Sequence, residues 1–92
     1  MVGLRINMVD FGTFLSDRKK ADADFLSVEP KLLAMPDGAV VVLNFEGISM
    51  LTPSFADEFI TRVRSVVWKD RVEIEGTDDS VLQNAIETAD WV

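Results

Sequence analysis

Apolar and polar positions along this chain fall into blocks of two different periods. In VGLRINM, residues 2–8, Val2, Leu4, Ile6 and Met8 alternate with Gly3, Arg5 and Asn7. That is the period of a strand with one buried face, and it reads as an edge strand. Asp10, Gly12 and Thr13 break the alternation, with Asp10 or Thr13 able to cap a following helix. Phe14, Leu15, Ala21, Phe25 and Leu26 then recur at roughly helical spacing, which predicts a helix over 14–26. Pro30 interrupts that pattern. Because proline is tolerated in a first turn, SVEPKLLAM predicts a second short helix or a kinked continuation. Pro36, Asp37 and Gly38 predict a turn.

AVVVLNF, residues 39–45, is continuously apolar up to Asn44 and rich in valine, the composition of a central strand covered on both faces. In residues 53–68, Phe55, Phe59, Val63, Val66 and Val67 fall on one helical stripe, with Asp57, Glu58, Arg62 and Arg64 largely elsewhere. RVEIEG alternates again and predicts a half-buried strand over 71–76, ended by Gly76. Caps among residues 77–80 and a stripe of Leu82, Ala85, Ile86 and Ala89 predict a final helix. The order β-α-(α)-β-α-β-α implies parallel strands joined by crossovers. The expectation is an α/β fold, a single small domain over residues 1–92 with a parallel or mostly parallel sheet of three to four strands.

Composition narrows the function more than the fold. Cysteine and histidine are both absent, which removes disulfides, thiolate nucleophiles, histidine metal sites and the usual imidazole acid–base catalyst. No cofactor, no metal and no enzymatic activity are therefore expected. A net charge of −7 repels phosphate backbones and anionic lipid, so nucleic acid and membrane are not expected partners. The longest apolar run, AVVVLNF, is far short of the ~20 residues of a membrane span, and no basic region with an apolar signal core opens the chain. A cytoplasmic location is the resulting expectation. At this size a partner subunit could add buried surface, which leaves homo-oligomerisation open.

Candidate chemistry concentrates in LNFEGISMLTPSFADEF, residues 43–59. Two starts are open for the helix after the strand. Either Thr52 is the N-cap with Pro53 in the first helical position, or Ser54 is the N-cap with Asp57 completing a box three residues on. Both place hydroxyls beside unpaired N–H groups at the positive end of a helix, where an anion or a phosphate on serine is favoured. Asp57 and Glu58 suit the same dipole end. Adjacent helical positions diverge by about 100°, which speaks against these two joining Glu46 around one metal ion. Gly47 lets the strand turn sharply and belongs to no phosphate-loop pattern.

VVLNFEGISMLTPSFADEF resembles the central motif of the bacterial STAS-like family of small domains of unknown function: an apolar strand, D/N-F-E-G-V/I, a short linker, then S-F-A-D-E-F/L. Upstream, FGTFLSDRKKA is similar to that family's F-G-x-x-L-x-x-R segment, and the resemblance extends over nearly the whole chain. The family is in turn similar to the STAS domains of anti-sigma-factor antagonists. In those, a serine at the start of a helix, the second of a D-S-S segment, is phosphorylated by a partner of the histidine-kinase-like ATPase fold. The resemblance lays Thr52 on the aspartate, Pro53 on the first serine and Ser54 on the phosphorylated one, so the Asp-Ser pair is missing here. It implies a non-enzymatic regulatory module that switches protein partners. Its contact residues would be Glu46, Gly47, Thr52, Ser54, Phe55, Asp57 and Glu58, with Ser54 the site of phosphorylation. A sensor that binds a nucleotide or another anion at helix N-termini is the alternative.

Overall fold

The computed structural model describes residues 2–76. The predicted caps at 77–80 and the predicted final helix lie outside the described residues. Strands β1 (Val2–Asn7), β3 (Val40–Asn44) and β5 (Val72–Glu75) form one parallel sheet in the order β1-β3-β5. Helix α1 (Arg18–Leu33) connects β1 to β3, and α2 (Pro53–Val66) connects β3 to β5. The expected α/β class and the central place of AVVVLNF are thus realised.

Pairing fixes the face of every strand residue. Leu4 and Ile6 stand opposite Val41 and Leu43, which stand opposite Val72 and Ile74. These six form the inner face, and α1 lays Ala21, Phe25, Val28 and Leu32 beside it while α2 adds Phe55, Ala56, Phe59, Ile60 and Val63. Phe59 is the hub: its ring stacks on Phe55 at 5.7 Å, meets Phe25 edge-on at 6.3 Å and tilts against Phe11 at 6.1 Å. Each buried aromatic contributes about 1.5–3 kcal/mol from burial alone. On the other face Arg5 of β1 reaches across β3 to an ion pair with Glu75 of β5.

The helix predicted over 14–26 starts later, at Arg18, and neither Asp10 nor Thr13 caps it. Asp17 does, its Oδ1 accepting from the Lys20 N–H at 2.6 Å. Phe14 and Leu15 are instead strand β2, paired in parallel with β4 (Met50–Leu51). Leu15 points into the core, whereas Phe14 faces out. The stretch before them, Met8–Phe11, is a 3₁₀ turn closed by Gly12 at φ 116°.

Pro30 does not end the helix. A single helix runs through it to Leu33, and the Ala34 N–H donates to the Pro30 carbonyl at 3.1 Å. The proline withholds only the bond to the Leu26 carbonyl, one turn before the helix ends. Leu26 is exposed, so water can serve its carbonyl there. The turn at residues 36–39 forms as expected, with Gly38 at φ 85° and Ala39 N–H donating to the Pro36 carbonyl at 3.1 Å.

Candidate functional site

The corner lies where the parallel strands end, at the edge of the sheet that carries the connections into the helices. After β3 the chain reverses at residues 45–48, with the Ile48 N–H donating to the Phe45 carbonyl at 3.2 Å and Gly47 at φ 88°. That φ belongs to the left-handed region that glycine enters without cost. Glu46 and Gly47 are exposed, while Ile48 is buried and pins the turn to the core.

The connection into α2 is then tied to the connection into α1. Ser49 and Met50 both donate their N–H groups to the Thr13 carbonyl, at 2.8 and 3.0 Å, and Thr52 donates to the Leu15 carbonyl at 3.0 Å. Thr52 performs a second task as N-cap. Its Oγ1 accepts from the Phe55 N–H at 3.3 Å and donates to the Ser16 carbonyl at 2.9 Å. Pro53 stands in the first turn, where its missing N–H leaves nothing unsatisfied. Of the two helix starts open in the sequence, the structure has the one capped by Thr52.

Ser54 is thereby released from a structural role. It lies one residue inside α2, exposed, and its hydroxyl makes no hydrogen bond among the described residues. Phe55 sits differently from the surface residue the resemblance implies. It is 0% exposed and stacked on Phe59, so it shapes the start of α2 from beneath and offers no side-chain surface to a partner.

Asp57 and Glu58 meet one cation, which is not the metal ion shared with Glu46 that their divergence on the helix speaks against. The cation is a guanidinium: Arg18 Nη1 donates to Asp57 Oδ2 at 3.0 Å and to Glu58 Oε1 at 3.3 Å. An arginine arriving from the first turn of α1 places this one nitrogen between the two carboxylates. The segments FGTFLSDR and SFADEF therefore meet in space. Glu58 also accepts from Arg62 Nε at 3.1 Å, and Arg62 reaches Asp22 Oδ1 of α1 at 3.2 Å.

This network sets opposite acidities on two neighbouring carboxyls. The Glu58 carboxyl beside it, then desolvation by burial, raises the Asp22 pKa above its ordinary value. The same closeness to Asp22, then the hydrogen bond from Arg62, lowers that of Glu58. Asp22 is the member of the pair that takes up a proton first as pH falls. Arg18 is held more firmly protonated, chiefly by its hydrogen bond with Asp57. Among the described residues no group of three or more His, Cys, Asp or Glu side chains could hold a metal ion.

The structure adds residues that periodicity had hidden. Phe14 and Met50 are cross-strand partners in the β2–β4 pair, 63% and 48% exposed. They lie side by side, and Met50 is four residues before Ser54 in the chain. Val9, 38% exposed, lies against the turn, its Cγ2 3.4 Å from where a Cβ on Gly47 would stand. Two-residue strands leave no period to read, and Phe14 fits a helical stripe as well as a strand. No helix among the described residues is long and apolar enough to cross a membrane.

Compared with protein-family models, with curated proteins and with solved structures, the chain matches none of them.

Proposed function

We propose that the chain is a non-enzymatic regulatory module of the STAS-like kind that docks a protein partner through the corner from Glu46 to Ser54. The observation that carries this reading is an exposed apolar pair, Phe14 and Met50, on the strand pair that leads directly into α2, where Ser54 is free of structural duty. Large apolar side chains grouped at a surface mark contact sites more often than scattered ones do. A phosphate on Ser54 would sit at the positive end of α2, where the helix favours it. The carboxylates that would oppose it, Asp57 and Glu58, are already offset by Arg18 and Arg62. Support for the STAS-like assignment comes from the parallel β-α-β-α-β order and from the meeting of the two resembling segments at Arg18. The partner expected from that resemblance is an ATPase of the histidine-kinase-like fold.

Co-expression with such an ATPase encoded beside this chain tests the reading. The wild type should be captured, and a Phe14→Ser, Met50→Ser double variant, which alters exposed positions only, should lose at least tenfold in affinity. With ATP the complex should add one phosphate that Ser54→Ala abolishes. Equal capture of wild type and double variant would remove this surface from the proposal.

A further inference from the structure

At the root of the corner three strands end against one another. Asn44, the last residue of β3, is half-buried and uses both ends of its amide. Its Nδ2 donates to Asn7 Oδ1 at the end of β1 at 3.1 Å, and its Oδ1 accepts from the Glu46 N–H at 3.1 Å. The second bond folds the chain back two residues on, which fixes its direction as it leaves the sheet. From the other side, β5 closes on the same atoms. The Phe45 N–H donates to the Glu75 carbonyl at 2.9 Å, and Gly76, at φ 72°, approaches so closely that a Cβ there would lie 2.4 Å from Glu46 N and 2.7 Å from Asn44 Oδ1.

We propose that Asn44 is the positioning residue of the docking corner, held by Asn7 and covered by Gly76, and that it sets the path of Glu46 and Gly47 toward the partner. This rests on the docking reading for its purpose and not for its test. None of the three residues belongs to the exposed Phe14–Met50 surface, so a change at Asn44 acts on the partner only through the corner's geometry.

Amide hydrogen exchange by NMR on the full chain measures the latch without a partner. In Asn44→Ala the amide of Glu46 should exchange at least tenfold faster relative to that of Leu43, which reports opening of β3 as a whole. Asn44→Asp should restore the wild-type ratio, because a carboxylate still accepts from Glu46 and, once the Asn7 amide turns over, accepts from Asn7 as well. Gly76→Ala should disturb Glu46 as Asn44→Ala does, since the added methyl strikes its nitrogen. An unchanged ratio in Asn44→Ala, or failure of Asn44→Asp to restore it, overturns the proposal. Partner capture should follow the exchange ratio across the three variants, and full capture by Asn44→Ala despite a raised ratio would overturn the positioning role. A wild type that captures no partner, with the exchange pattern as stated, would defeat the docking reading and leave the latch standing.

Discussion

Replacing Thr52 by alanine separates the two possible starts of α2 and measures what the corner contributes to stability. The threonine hydroxyl makes two bonds, one to the Phe55 N–H and one to the Ser16 carbonyl. Loss of an N-cap costs about 0.5–2 kcal/mol, typically ~1. The Ser16 bond adds little, because Ser16 is exposed and water replaces the lost donor, so the sum is about 1–2 kcal/mol. In a domain of this size each kcal/mol moves the melting temperature by about 4–8 °C, which predicts a fall of roughly 5–15 °C. Thr52→Ser keeps both bonds and should lose less than about 0.5 kcal/mol, as should Ser54→Ala at an exposed position without a hydrogen-bond partner among the described residues. Urea titrations followed by circular dichroism, with melting curves alongside, give all three values. If Ser54→Ala costs as much as Thr52→Ala, Ser54 is the cap and the argument that it stands free for modification collapses.

Phosphoserine installed at position 54 shares a helix face with Asp57 and Glu58, the acceptors that Arg18 bridges; its second ionisation, read by phosphorus NMR, should rise when Arg18→Gln is added, and no change would mean that the arginine does not reach it. Phe59→Ala removes the ring shared by Phe11, Phe25 and Phe55 and should cost about 3–5 kcal/mol, a large part of the stability of a small domain, visible as loss of a cooperative melt. Asp22→Asn tests the carboxyl pair. Because the Asp22 pKa is raised, its stabilising contribution is complete below the ordinary carboxylate value and is lost as pH rises through the raised one. Glu58, with a lowered pKa, contributes above its ordinary value and loses that contribution as pH falls through the lowered one. The amide carries no charge to oppose Glu58 at any pH, so the variant should have a higher urea midpoint than the wild type at neutral pH; a lower midpoint there would show that the ion pair of Asp22 with Arg62 outweighs the opposition between the two carboxyls.

The parts of the fold legible in the sequence were those with enough length to show a period. β3 is a run of valines buried in the middle of the sheet, and α2 repeats its apolar stripe over four turns, so both could be placed from residue types alone. The N-terminus of α1 could not, because Phe14 and Leu15 continue a helical spacing that only their pairing with Met50 and Leu51 overrides. Pro30 signalled a break and received none, since its cost near the end of a packed helix is one hydrogen bond. At the corner, residue types named the hydroxyls but left the cap ambiguous between Thr52 and Ser54, which a backbone direction decides. The role of Arg18 had no local sign, because its partners lie 39 and 40 residues away. Phe55 read as a contact residue through its place in a motif, and the core claimed it.

The β2–β4 pair is only two residues wide, yet it works as a ruler laid across both connections. Phe14 opposite Met50 and Leu15 opposite Leu51 hold a register in which one side chain of each strand faces out and the other in. A single residue inserted into one connection between its sheet strand and this pair would exchange the faces of that strand alone, burying Phe14 and expelling Leu15, or burying Met50 and expelling Leu51. Variation in length between residues 8 and 13 should therefore be tolerated only as a bulge, or as a loop that returns to the same register. Libraries of insertions selected for folding should show a gap at this ruler in both connections and freedom at the turn over residues 36–38, where no such register is read.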